Sequence, residues 1–276
     1  MLAELTEDQA TGEVAVIYAE IRHLCAVPYV SSLQRHLATR PGWLEWGWHA
    51  VRPVFASGVA QTAAWNALDS ASVQPLPSVP VSTQRLWGLS AQDCIEIRSI
   101  GDLFVRVSPT NLMLSAMLRR VLAGDQPSAV APDDPQPWTP PASIPPPPAL
   151  VPVEDLDPDT RASLNHFATV VAGQPFIPGL YRMLGEWPTF LGYLATVLAP
   201  RFKDADTLAA CRQVQQLIDG AAAQVFAQLP PIDTNKWPMP PQHEHPEVLD
   251  AMDRYRETSP QMIVFGGLIR DCLLEE

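Results

Sequence analysis

Few side chains in this sequence have the type and spacing that metal or nucleophilic chemistry needs. His243 and His245 flank Glu244 in a proline-rich segment, but no third metal ligand follows at a useful spacing. The sequence has no glycine-rich phosphate loop, no HExxH pair and no GxSxG turn. The cysteines are far apart and form no metal-ligand spacing: Cys25, Cys94, Cys211 and Cys272. We therefore predict reduced structural thiols, an exposed loop at residues 243–245, and no metal or organic cofactor.

The composition indicates a globular protein and argues against some classes of partner. The chain has 276 residues, of which 47% are hydrophobic, and this is enough to build a globular core. The net charge of −12 and the scattered basic residues argue against nucleic acid and anionic membranes as partners. The first residues are acidic, and no apolar run is long enough to span a membrane. We expect a cytoplasmic protein with a small-molecule substrate, and a homo-oligomer or an accessory protein as a further partner.

The sequence is internally duplicated. Residues 27–46 align with residues 174–193 at a constant offset of 147, so that Pro28, Arg35 and Pro41 meet proline, arginine and proline again. Residues 108–119 align with residues 259–270 at an offset of 151, and both segments begin with Ser-Pro and end with arginine. Ser-Pro is typical of a helix N-terminus, with serine as the cap and proline at the first helical position. Each half is therefore predicted to end in an apolar helix.

The elements that must position any site are helices. Apolar residues recur every three or four positions in residues 12–25 and 206–229, and no strand alternation is sustained. Between the halves, residues 127–152 contain eleven prolines, which favours an extended polyproline spacer. We predict an all-α pseudo-dimer whose site lies between two repeats, 1–124 and 153–276, with a proline-rich linker at 125–152.

The order of these segments resembles that of the group I 2-haloacid dehalogenases. The resemblance covers nearly the whole chain: IYAEIR, VPYV, LATRPGWL, the proline-rich linker, FIPGLYRMLGEWP and LIRDCL. It implies an all-helical enzyme made of two repeats, with a site between them for a small 2-halocarboxylate. It also implies that an aspartate activates a water molecule, which displaces the halide directly with inversion and without a covalent ester.

The pocket that the resemblance implies is altered in this chain. Leu180 stands seven residues before Trp187-Pro188, where the family has its water-activating aspartate. Tyr29 stands where the family tends to have tryptophan, and Ser32 replaces an aromatic residue. The positions implied to bind substrate are Tyr29, Ser32, Ser108, Asn111, Gly179, Tyr255 and Met262. Ser108 has a second interpretation as the cap of its helix.

A replacement base is available near the altered position. His36 lies three residues after Leu33, which is the first-repeat counterpart of Leu180, and it could take the proton of water. This would preserve hydrolysis through another base.

The loss of the aspartate favours a displacement that needs no water. A substrate that carries its own amine or hydroxyl beside a halide, sulfate or phosphate would close a ring, for example an aziridine, and orientation would supply much of the acceleration. The alternatives are a hydrolytic dehalogenase that uses another base and a noncatalytic binding or scaffold protein.

Overall fold

The computed structural model describes residues 3–70, 73–127, 138–171 and 174–275. Within these residues most of the regular structure is helical, which confirms the predicted all-α class. The helices are α1 Gly12–Cys25, α2 Ser32–Leu37, α3 Trp43–Ala56, α4 Val59–Asn66, α5 Val81–Leu86, α6 Ala91–Leu122, α7 Pro158–Asn165, α8 Gly179–Met183, α9 Pro188–Val197, α10 Ala205–Phe226 and α11 His245–Cys272. A small antiparallel hairpin, β1 Thr169–Val171 and β2 Gln174–Phe176, pairs Thr169 with Phe176.

Hydrophobic periodicity explains the helices that the sequence predicts. Helix α1 buries Ile17, Tyr18, Ile21 and Leu24 on one stripe, as expected from spacings of three and four residues. It ends at Ala26, whose φ of 51° is left-handed and whose N–H bonds back to the last turn. Helix α10 likewise covers most of the second periodic segment.

The described chain divides into two compact units. The first unit comprises Met1–Ala71, Arg106–Ile144 and Val214–Ser259, and the second comprises Ser72–Val105, Pro145–Gln213 and Pro260–Glu276. Each unit takes segments from both halves of the sequence. Helices α2 and α8 begin at residues that are equivalent at the offset of 147. The division into two repeats about a pseudo-twofold axis stays a prediction.

The two Ser-Pro segments do not begin helices, and the predicted caps at Ser108 and Ser259 are wrong. Pro109 lies inside α6, and Pro260 lies inside α11. An interior proline lacks the N–H that would bond to the carbonyl four residues earlier, and side-chain hydroxyls add bonds to other carbonyls in the same turns. The Ser259 hydroxyl donates to the carbonyl of Tyr255 at 2.7 Å, and the Thr110 hydroxyl donates to that of Val107 at 2.9 Å.

The proline-rich segment is described only in part, because residues 128–137 lie outside the described residues. Residues 138–152 contain neither helix nor strand. The indole N–H of Trp138 donates to the carbonyl of Leu24 at 3.0 Å in the first unit. The ring of Trp138 also lies so close to Gly58 that a Cβ there would be 2.2 Å from it. The spacer role of this segment stays a prediction.

Each unit has an aromatic core. In the first unit, Tyr18, Trp43 and Phe55 are almost completely buried. In the second unit, the ring of Tyr181 stacks on Phe167 with centroids 4.5 Å apart. The Tyr181 hydroxyl is buried without a hydrogen-bond partner, so this side chain serves packing in the second unit.

The four cysteines are buried and form no disulfide, as predicted. Among the described helices, none is long and apolar enough to cross a membrane.

Helices α6 and α11 approach each other closely at two glycines in the second unit. A Cβ on Gly101 would lie 2.6 Å from the carbonyl oxygen of Gly266. A Cβ on Gly266 would lie 3.1 Å from the carbonyl oxygen of Gly101. Only residues without a side chain allow the two backbones to pack at this distance.

The first prediction tests this helix crossing. Gly101→Ala should lower the free energy of unfolding by about 1–3 kcal/mol, because the added methyl overlaps backbone that cannot move aside cheaply. Gly192→Ala in α9 is the matched control, since a Cβ there meets nothing within 4 Å. The control should be neutral or more stable by up to about 1 kcal/mol. Urea unfolding of both variants measures the difference, and equal stability of the two would contradict the close packing.

Candidate functional site

The segment before α2 begins a buried hydrogen-bonded chain in the first unit. The backbone N–H of Val30 donates to Glu7 Oε1 at 2.7 Å and fixes the segment between Tyr29 and Ser31. Ser31 stands at the N-cap position of α2, yet its hydroxyl makes no cap and instead donates to Gln34 Oε1. Gln34 Nε2 donates in turn to Asn111 Oδ1 at 2.5 Å, which joins α2 to α6.

These three polar residues are almost inaccessible to solvent. Ser31 is 7% exposed, Gln34 2% and Asn111 6%. Burying an amide is costly unless its donors and acceptors are paired, so the Ser31–Gln34–Asn111 chain has to be satisfied internally.

Helix α11 supplies the other side of the cluster. Tyr255 and Ser259 lie one turn apart, and the Ser259 hydroxyl bonds to the Tyr255 carbonyl. Arg256, the neighbour of Tyr255, donates to both carboxylate oxygens of Asp219 on α10, at 2.6 and 2.7 Å, and to the hydroxyl of Ser115 on α6 at 3.3 Å. The ion pair anchors α11 to α10, the bond to Ser115 ties α11 to α6, and together they fix the position of Tyr255.

The two tyrosines are held in their protonated form. Burial raises the pKa of Tyr255, and hydrogen bonding with Ser259, Ser31 and Asn111 lowers it. Burial also raises the pKa of Tyr29; the neighbouring Tyr255 raises it further and Arg35 lowers it. Both hydroxyls are therefore hydrogen-bond donors at neutral pH.

We call this group of side chains the polar cluster. Its members are Tyr29, Ser31, Gln34, Asn111, Tyr255 and Ser259. Among the hydrogen bonds described for these side chains, none has a carboxylate partner. The cluster can donate hydrogen bonds to a negatively charged group, but it offers no strong base.

The structure brings together three of the residues predicted from the sequence. Tyr29, Asn111 and Tyr255 belong to the polar cluster. Ser32 is the first residue of α2 and is partly buried. Ser108 is buried inside α6, two turns before Ser115.

His36 is tied to a different part of the first unit. Its Nδ1 lies 2.8 Å from the carbonyl oxygen of Ala3, and the side chain is buried. Its described hydrogen bond leads to the N-terminal segment and not to the polar cluster, so its role as a base stays a prediction.

The remaining predicted positions lie in the second unit. Leu180, at 0% exposure, is a fully buried hydrocarbon on α8. Gly179 begins the same helix, and the nearest atom that a Cβ there would meet is Phe104 Cζ at 4.0 Å. Met262 is buried on α11.

Metal binding has no support in the described residues, which contain no group of three or more His, Cys, Asp or Glu arranged to hold a metal ion. His245 begins α11, and its Nε2 lies 3.1 Å from the carbonyl oxygen of Pro240. The 243–245 segment, predicted as a loop, is therefore a short 3-10 turn that leads into the helix.

Sequence analysis missed Ser31, Gln34 and Ser259. A signal for Gln34 was present, because Val30, Leu33, Gln34 and Leu37 follow the spacing of a core-facing helix stripe. A polar residue on such a stripe needs a buried partner. The sequence does not identify this partner, because Asn111 lies on a distant helix and meets Gln34 only through tertiary packing.

Comparison with known structures agrees with this architecture. A D-2-haloacid dehalogenase mutant in complex with D-2-CPA superposes with a TM-score of 0.73 and 17% sequence identity, over 99% of this chain and 96% of that one. D-2-haloacid dehalogenase in complex with L-LA gives a TM-score of 0.70 and 18% identity over the same shares.

The chain has the fold of D-2-haloacid dehalogenase. A further mutant of that enzyme gives a TM-score of 0.71 at 18% identity. The sequence matches no protein-family model and no curated protein. At this level of identity the shared dehalogenase fold does not carry the chemistry with it, so the function has to be argued from the side chains.

The second prediction concerns the tyrosines. The pKa of each of the five is raised, that of Tyr18 to about 12, with Tyr29, Tyr181, Tyr193 and Tyr255 also above the ordinary value. Their protonated forms stabilise the fold fully below about pH 10, the value in an unfolded chain, and this stabilisation is lost as pH rises through the folded pKa values.

Spectrophotometric titration with parallel circular dichroism measures this effect. Tyrosinate absorbance should appear only as the helical signal is lost, whereas the chain in denaturant should titrate near pH 10. Tyrosinate from more than one tyrosine that forms near pH 10 while the native helical signal persists would contradict this account, since the Tyr193 hydroxyl bonds to the carbonyl of Pro77 at an exposed position and is expected to ionise first.

Proposed function

We propose that this protein is an enzyme that displaces an anionic leaving group from a saturated carbon, with the nucleophile carried by the substrate itself. The observation that carries the proposal is Leu180. It occupies the position that the sequence resemblance gives to the water-activating aspartate, and it is a fully buried hydrocarbon. A leucine cannot take a proton from water, so a displacement at this site has to use a nucleophile that needs no such base.

The polar cluster supports the part of this proposal that concerns an anionic leaving group. Displacement moves an electron pair onto the leaving group, and oriented hydrogen-bond donors in a water-poor site stabilise the charge that develops there. Tyr29 and Tyr255 are donors because their raised pKa values keep them protonated. Asn111 adds an amide donor whose carbonyl is already used by Gln34.

The proposed step balances without a cofactor. The lone pair of a substrate amine or hydroxyl attacks the adjacent carbon and forms a ring bond. The bond from that carbon to halide, sulfate or phosphate breaks, and the leaving group departs with the electron pair. The proton of the nucleophile passes to solvent. Holding nucleophile and carbon in line supplies the acceleration that an activated water would otherwise give.

The fold is consistent with displacement chemistry. The structures that this chain resembles over 99% of its length are those of D-2-haloacid dehalogenase, which removes a halogen from 2-haloacids. Retention of the fold together with loss of the base favours a change of nucleophile over a change of reaction type.

The third prediction tests the role of position 180. Purified native protein should release no halide from either enantiomer of 2-chloropropionate, because this substrate brings no nucleophile of its own. Leu180→Asp should release halide from one enantiomer or both, since the new carboxylate can activate water. Ion chromatography of free chloride measures the difference.

Leu184→Asp is the matched control, because Leu184 is also 0% exposed in the second unit. It places the same carboxylate in an equally buried position and should release no halide. Release by the native protein would contradict the proposal and favour hydrolysis through another base such as His36. If a folded Leu180→Asp variant released no halide, this would contradict retention of a displacement site and favour a noncatalytic role.

A further inference from the structure

Gln34 gives the buried hydrogen-bond chain a direction. Its carbonyl oxygen accepts from the Ser31 hydroxyl, and its Nε2 donates to Asn111 Oδ1. A side-chain amide has one acceptor end and one donor end, so the bond from Gln34 holds the carbonyl end of Asn111 toward α2 and points its N–H end away from Gln34. The chain therefore runs from Ser31 through Gln34 to the amide N–H groups of Asn111.

The far end of this chain lies at Tyr255. Ser31 and Ser259 lie beside its hydroxyl, but their protons are donated to Gln34 Oε1 and to the Tyr255 carbonyl, so the Asn111 amide is the donor left to face this hydroxyl. Polar side chains from the N-cap of α2, from α6 and from α11 thus lie around one point. Polarisation along a buried chain of hydrogen bonds strengthens its last donor, which here is the Asn111 amide.

We propose that Gln34 is a positioning residue that holds Asn111 as a hydrogen-bond donor, so that the polar cluster binds the anionic leaving group of the substrate. This inference rests on the proposed displacement function and names the group that the cluster recognises: an anion, either a halide or a tetrahedral oxyanion. Gln34 does not touch the anion, and it acts through Asn111.

Two substitutions of Gln34 separate orientation from structure. Gln34→Glu keeps the shape of the side chain, but a carboxylate only accepts, so it takes up the N–H groups of Asn111. Gln34→Leu removes the partner and leaves the Asn111 amide without its fixed orientation. Gln61→Leu is the matched control, because Gln61 is a fully buried glutamine of the same unit that donates to the carbonyls of Leu24 and Phe55.

The fourth prediction uses sodium bromide and sodium sulfate as probes of the full chain. Titration followed by NMR of the side-chain amide of Asn111 should show saturable binding of at least one of the two anions to the native protein. Gln34→Glu and Gln34→Leu should bind that anion at least about tenfold more weakly, since one oriented donor to a charged group is lost. Gln61→Leu should bind it as the native protein does, although it too is destabilised.

Bromide binding alone indicates a halide leaving group, and sulfate binding alone indicates a tetrahedral oxyanion; both results support the inference. No saturable binding of either anion to the native protein would overturn it. Native affinity in a folded Gln34→Glu or Gln34→Leu variant would also overturn it. Because anion binding needs no turnover, these outcomes are independent of whether Leu180→Asp releases halide.

Discussion

The continuation of two long helices past an interior proline is the constraint on which the candidate site depends. Asn111 follows Pro109 by two residues on α6, and Ser259 directly precedes Pro260 on α11. Each proline removes a backbone donor, and the hydroxyls of Thr110 and Ser259 bond to carbonyls in the same turns. If the helices began at Ser108 and Ser259, as the sequence predicts, Tyr255 would lie outside its helix and Asn111 would stand in a first turn, so neither would be held by continuous helix on both sides. The bond from Gln34 to Asn111 and the ion pair of Arg256 with Asp219 then complete the positioning of the site.

Sequence patterns predicted several of the helices, but they did not predict which side chains bond between helices. The stripes of α1 and α10, and the matching starts of α2 and α8, follow directly from periodicity and duplication. The Ser-Pro prediction was wrong because this dipeptide occurs both at the start of a helix and inside one. Tertiary packing determines which of the two forms. Of the predicted site residues, Tyr29, Asn111 and Tyr255 converge, whereas Gln34 was missed because a single sequence does not show which buried amide meets which. Residues Gly179, Leu180 and Met262 remain predictions.

Similarity to known structures supports the fold of this chain but does not identify its chemistry. Superposition on D-2-haloacid dehalogenase covers 99% of the chain, yet only 17% of residues are identical. A helical scaffold persists through such divergence because burial of an apolar stripe constrains only residue type, whereas catalysis depends on individual atoms. In this chain, the atoms on which the proposal depends are the side chain of the buried Leu180 and the amides of Gln34 and Asn111. In the proposed function, this scaffold keeps donors for a leaving group and does not activate water.

The most direct test of this account is the origin of the nucleophile. The full chain would be incubated in ¹⁸O-labelled water with β-amino alkyl chlorides and sulfate esters, each paired with the analogue that lacks the amine, and products would be examined by mass spectrometry. The account predicts that only the amine-bearing compounds lose chloride or sulfate, and that their cyclic products contain no ¹⁸O. Release from an amine-free analogue with ¹⁸O in the product would show that water is the nucleophile and would contradict the account.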